Sequence, residues 1–128
     1  MATEKRHQQT GLSYGIESLS SLDWIAIVLA LATGVIHLYL YMTEDWLPLL
    51  LAGAGFLGAV GLLIALPNYR HWLYPVGALF VAAQIAGYLL LPLGPLWIGV
   101  LDKVIQVALI VVLIQLFRIS GRDEPSTV

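Results

Sequence analysis

The segment "WIGVLDKVIQVALIVVLIQLF", from Trp97 to Phe117, places an acid and a base, Asp102 and Lys103, inside an otherwise apolar run. By insertion scales a carboxylate facing lipid costs roughly 2.5–3.5 kcal/mol at the centre of a span, so it turns inward and finds a donor. Gln106 falls on the Asp102 face, because helical positions i and i+4 align. Two other apolar runs carry similar groups. Thr33, His37 and Tyr41 share one face, and Gln84 shares another with Tyr88. At 1.5 Å rise per residue, Asp102 lies about 10 Å from the start of its run, and His37 and Gln84 lie about 7 and 11 Å from the ends of theirs.

The candidate constellation is therefore His37, Tyr41, Gln84, Tyr88, Asp102 and Gln106, with Glu44 and Asp45 at its mouth. Asp102 would be a charged anchor, His37 its proton partner, and Gln84 and Gln106 the orienting groups. Histidine suits that role because its charge changes near physiological pH. The donors within reach of Asp102 are His37, Tyr41, Gln84 and Lys103. Lys103 is about 100° around the helix from Asp102, and it is expected to snorkel to the headgroups along its aliphatic stem. The plainer alternative is that the same residues only glue helices together, through hydrogen bonds of about 0.6 kcal/mol each.

The elements that position these groups follow from hydropathy. Of 128 residues, 59% are hydrophobic and 11% charged, where soluble domains average roughly 45–50% and about 25%. Four apolar runs, about 22–41, 46–66, 74–91 and 96–117, each approach the roughly 20 residues that cross a hydrocarbon core. Ser20 and Asp23 form a capping signature before the first, with Leu19 placed to staple onto Trp24. Pro48 and Pro75 fall near the starts of the second and third. Short connections predict an all-α, antiparallel bundle of four transmembrane helices over 21–118. Residues 1–20 and 119–128 read as short, polar, disordered tails. Lys5, Arg6, Arg70, Arg118 and Arg122 fall on one side of such a bundle. Both termini are thus predicted to be cytoplasmic, in a multi-pass protein of the cell membrane. Tyr69, Trp72 and Tyr74 would then form an inner aromatic belt, and Tyr41, Trp46 and Trp97 an outer one.

Several motifs lose their usual chemistry in this setting. "GAGFLG", Gly53 to Gly58, spells a dinucleotide fingerprint, but that motif works between a strand and an exposed helix start. Packing is the better reading, with small residues letting helices approach closely. The positions are Gly55, Gly58 and Gly61 on the second run and Ala78, Ala82 and Ala86 on the third. Bis-histidine haem is disfavoured because His37 and His71 belong to opposite ends of the spans, and no other cofactor or metal is expected. His71 is expected at the surface beside Arg70, meeting lipid phosphates. With no cysteine in the chain, disulfides, thiolate metal sites and cysteine nucleophiles are excluded. A net charge of −2 offers no basic patch for nucleic acid.

The parts "GVIHLYL", with His37, and "LDKVIQVALI", with Asp102, Lys103 and Gln106, resemble a group of small four-helix membrane proteins found in halophilic archaea. The resemblance spans nearly all of the chain between the tails. It implies location and architecture and carries no activity. The first functional expectation is a non-enzymatic accessory or oligomer-forming membrane subunit, in a homo-oligomer or a larger complex. The rival is a small transporter or sensor with a proton- or ligand-binding site in the outer leaflet.

Overall fold

The structure is a computed structural model and describes residues 11–123. It is all-α, with no strand among the described residues. A short helix, α1, covers residues 11–17. Four long helices follow: α2 (Ser21–Glu44), α3 (Leu47–Ala65), α4 (Arg70–Leu90) and α5 (Leu96–Asp123). A 3-10 turn, Pro67–Tyr69, joins α3 to α4. All four long helices are of a length and composition that can cross a membrane. Large apolar side chains such as Val28, Leu51, Leu79, Leu89 and Val107 point outward and are exposed, a surface that water would not tolerate.

Local chemistry sets the boundaries. The Ser20 side chain accepts from the Asp23 amide while Asp23 bonds back to the Ser20 amide, the reciprocal cap expected from the sequence. Leu19 is buried in the core, whereas Trp24 is exposed. Asp45 ends α2 in the left-handed region, at φ 51°. Gly94, at φ +79°, turns the chain between α4 and α5, where a Cβ would lie 2.7 Å from Leu40 Cδ2. α4 begins earlier than the sequence suggests, so Pro75 lies inside it. α5 also runs past residue 117, through part of the expected C-terminal tail. Residues 11–20 are not disordered: they form α1 and the cap of α2, and Gly15 meets the Ile64 carbonyl so closely that no Cβ fits. The remaining tail positions, 1–10 and 124–128, lie outside the described residues.

α2 and α5 form the central pair; α3 packs on α2 and α4 on α5. The α2–α3 crossing is close because Gly34 and Gly53 face each other: a Cβ on Gly53 would sit 3.0 Å from the Gly34 oxygen and 2.7 Å from Leu38. α3 and α4 share much less surface. They meet where Phe80 packs against Gly55 and against the Phe56 ring, 5.0 Å away. The expected packing faces are thus only partly used. Gly55 and Ala78 pack inside the protein, whereas Gly58 and Gly61 would meet nothing within 4 Å and Ala82 and Ala86 are exposed.

The interior divides into two apolar clusters. The larger includes Ala26, Ile27, Ala30, Phe56, Leu63, Val81, Leu109 and Leu113; the smaller holds Leu40, Leu49 and Ile98. Along α2 and α5 a polar layer separates them, made of Thr33, His37, Asp102 and Gln106, all buried. Near the larger cluster, Arg70 donates to Leu63 O at 2.7 Å, Ser18 Oγ at 2.8 Å and Gly15 O at 2.8 Å. Leu63 and Gly15 lie in the last turns of α3 and α1, where a cation complements the unpaired carbonyls. Tyr74 donates to Asp23 at 2.7 Å and is buried, so it is no belt residue. Tyr69, Trp72, Trp46 and Trp97 are exposed. His71 is half-buried rather than free for lipid: Nδ1 lies 2.7 Å from Ser120 Oγ and the ring stacks on Phe117.

Candidate functional site

The polar layer is a closed ring of hydrogen bonds between α2 and α5. Thr33 Oγ1 donates to Asp102 Oδ1 at 2.5 Å. Lys103 Nζ donates to Asp102 Oδ2 at 2.7 Å and to Gln106 Oε1 at 2.8 Å. Gln106 Nε2 then donates back to Thr33 Oγ1 at 3.2 Å. Among the described residues no sealed side-chain polar atom is left without a partner, so the layer satisfies the demand that polar groups away from water be paired. Gln106 and Asp102 are almost fully buried, whereas the Lys103 side chain keeps 17% of its surface.

Lys103 therefore does not snorkel to the headgroups. Its stem folds back so that the ammonium meets its own neighbour Asp102 in an ion pair 2.7 Å long. The ammonium also sits 4.9 Å from the centre of the Tyr88 ring, a cation–π contact that strengthens where water is scarce. Tyr88 reaches this position because Gly99 has no side chain: a Cβ there would collide with the Tyr88 hydroxyl.

His37 stands at the edge of the ring. Its Nδ1 lies 2.8 Å from the Thr33 carbonyl oxygen, 3.4 Å from Thr33 Oγ1 and 3.9 Å from Asp102 Oδ2. A carbonyl oxygen can only accept, so Nδ1 carries a hydrogen, and in the neutral imidazole the lone pair is left on Nε2. The described residues offer Nε2 no partner, yet no sealed polar atom lacks one. Nε2 thus opens to the cavity that His37 lines. Phe56, with its ring centre 5.5 Å away, supports the other side of the imidazole.

That cavity has a volume of about 240 Å³ and draws its wall from all four long helices. Its polar side comprises His37, Gln84, Tyr88, Asp102 and Lys103; Leu40, Trp46, Leu49 and Leu91 are among its apolar walls. Among the described residues the Gln84 amide makes no hydrogen bond, and it faces the same space. Of the expected constellation, His37, Gln84, Tyr88, Asp102 and Lys103 are brought together, and Gln106 supports them from behind. Tyr41 is not: it packs against Leu40, Leu49 and Ile98 instead. Glu44 and Asp45 are exposed and line no part of the cavity. Thr33, fully buried, is the hydrogen-bond partner of Asp102 and Gln106 absent from the expected set.

Chemically, the wall can hold a proton or bind a molecule through His37 Nε2, Gln84 and Lys103. Among the described residues no group of three or more histidines and carboxylates could hold a metal ion. Fold and site together define a class: four membrane-length helices with a buried polar layer between α2 and α5 and a cavity beside it. No family model, curated protein or solved structure matches the chain.

Proposed function

We propose that this is a multi-pass protein of the cell membrane that binds a small ligand in the cavity beside Asp102, as a carrier or sensor does. In this reading the bundle is antiparallel with both termini cytoplasmic, because Arg70, Arg118 and Arg122 then share the side that retains basic residues. The cavity lies in the outer leaflet. The observation that carries the proposal is the wall itself: a matched ion pair, an imidazole acceptor and a free amide converge on about 240 Å³ of space. Polar residues that served only as glue would be sealed between helices, as Thr33 and Gln106 are, with no cavity beside them.

A second reading is favoured by one observation. Gly58 and Gly61 present open space on the outside of α3, and small residues of this kind let neighbouring membrane helices approach. The protein then works as the ligand-binding subunit of a homo-oligomer or larger complex.

The test of ligand binding is a filled cavity. Gly87 lines the cavity, and a Cβ there meets nothing within 4 Å, so Gly87→Leu occupies the space without a backbone clash. Wild type and Gly87→Leu are purified from native membranes and their bound small molecules compared by mass spectrometry. A compound retained by the wild type and lost from a folded Gly87→Leu is expected. Identical extracts from the two would end the proposal.

A further inference from the structure

The charges on the cavity wall are already matched to one another. Asp102 is met by Lys103 at 2.7 Å and by Thr33 at 2.5 Å. An ionic ligand would bring an uncompensated charge into a low-dielectric space, which is strongly unfavourable. A neutral ligand brings none. What the wall leaves over is hydrogen-bonding capacity of both kinds. His37 Nε2 accepts, the Gln84 amide accepts and donates, and Lys103 keeps one N–H beyond those directed at Asp102 and Gln106.

Size and path add two further constraints. An engineered apolar cavity of about 150 Å³ binds benzene, so about 240 Å³ suits a head of one or two fused six-membered rings. Leu40, Leu49, Leu91 and Trp46 supply apolar contact for its faces. α3 and α4 both line the cavity, and beyond their meeting at Phe80 they share little surface. Ala83 and Gly87 on α4 lie on the cavity wall and are exposed, so an apolar tail can leave between the two helices into lipid.

Building on the ligand-binding reading above, we propose that the cavity takes the ring of a neutral, membrane-dissolved amphipath bearing carbonyl or hydroxyl oxygens, the chemistry of a prenylated quinone or quinol. A ring carbonyl accepts from Lys103 or Gln84, and a ring hydroxyl donates to His37 Nε2.

The test uses Trp46 as the reporter, since it lies on the cavity wall. Trp24, Trp72 and Trp97 are exposed and are changed to Phe, leaving Trp46 alone in protein held in phosphatidylcholine nanodiscs. Added 2-methyl-3-prenyl-1,4-naphthoquinone is expected to quench Trp46 saturably. Gln84→Leu and Gly87→Leu, each with unchanged helical circular dichroism, should raise the half-saturating concentration at least tenfold. Dodecanoate and dodecylammonium should fail to relieve the quenching. Quenching that rises linearly, as a Trp72-only control should, would overturn the inference, and so would indifference to Gln84→Leu. Recovery of a charged compound from the Gly87→Leu comparison, with no saturable quenching, removes the quinone class and leaves ligand binding standing. Identical extracts in that comparison remove both.

Discussion

The Asp102–Lys103 pair makes a prediction whose two halves differ in size. Removing one partner of a buried pair destabilises by about 3–5 kcal/mol, because the other charge is left uncompensated. The two side chains are unequally buried, 2% exposed for Asp102 and 17% for Lys103. In Asp102→Asn the stranded ammonium can draw on the cavity, Gln106 and the Tyr88 ring, so the loss falls at about 2–3 kcal/mol. In Lys103→Met the stranded carboxylate keeps only the Thr33 hydroxyl and the more distant His37, so the loss rises to about 4–5 kcal/mol. The double variant Asp102→Asn/Lys103→Met strands nothing and should return to within about 1 kcal/mol of wild type. Unfolding by added dodecyl sulfate from mild detergent micelles, followed by helical circular dichroism, measures all four proteins. Additive losses would refute the ring as drawn, as would an Asp102→Asn variant weaker than Lys103→Met.

The small residues divide into two groups by what lies beside them. Gly53→Ala should lose about 1–3 kcal/mol in the same unfolding assay, since its Cβ would press into Leu38 and the Gly34 carbonyl; Gly61→Ala, facing open space, should lose nothing. Native mass spectrometry in gentle detergent should find an oligomer that Gly58→Leu/Gly61→Leu reduces to single chains. A lone wild-type chain in that measurement removes the subunit reading.

Periodicity made the layer legible as a set of faces, but not as a set of bonds. Asp102 and Gln106 on α5, and Thr33 and His37 on α2, could each be aligned by i and i+4 spacing alone. Which helix they face is a matter of tertiary packing: Thr33 meets Asp102 and Gln106 across α2 and α5, while Gly34 and Gly53 draw α3 onto another face of α2. Thr33 was on the His37 face in plain view. A short hydroxyl in an apolar span reads as ordinary, because its intrahelical bonds conceal its value as a cross-helix donor. Tyr41 shares that face too, yet it lies two turns from Thr33 and belongs to the smaller apolar cluster.

The inward turn of Lys103 is hidden from the sequence for a different reason. A 100° separation describes where side chains leave the helix, whereas four methylenes let the ammonium return to its neighbour. The same bias toward the surface hid Arg70, which burial among Leu63, Ser18 and Gly15 holds inside, and the segment from α1 to the α2 cap, which looks polar until Gly15 and Leu19 are seen packed. The small-residue stripe reads in the sequence as a surface that invites close approach, and within the protein only part of it is used. Only a structure assigns Gly55 to Phe80 and leaves Gly58 uncovered.

An accessible cavity beside a polar layer within membrane-length helices can be measured without background, because the chain has no cysteine. A single thiol at Gly87 on the cavity wall is compared with one at Gly58 on the outer face of α3, both positions where a Cβ meets nothing. A small, polar, thiol-specific methanethiosulfonate reagent is applied to intact membranes. Labelling at Gly87→Cys but not at Gly58→Cys is the result the structure predicts. Equal labelling at both, or protection of Gly87→Cys alone, would contradict it.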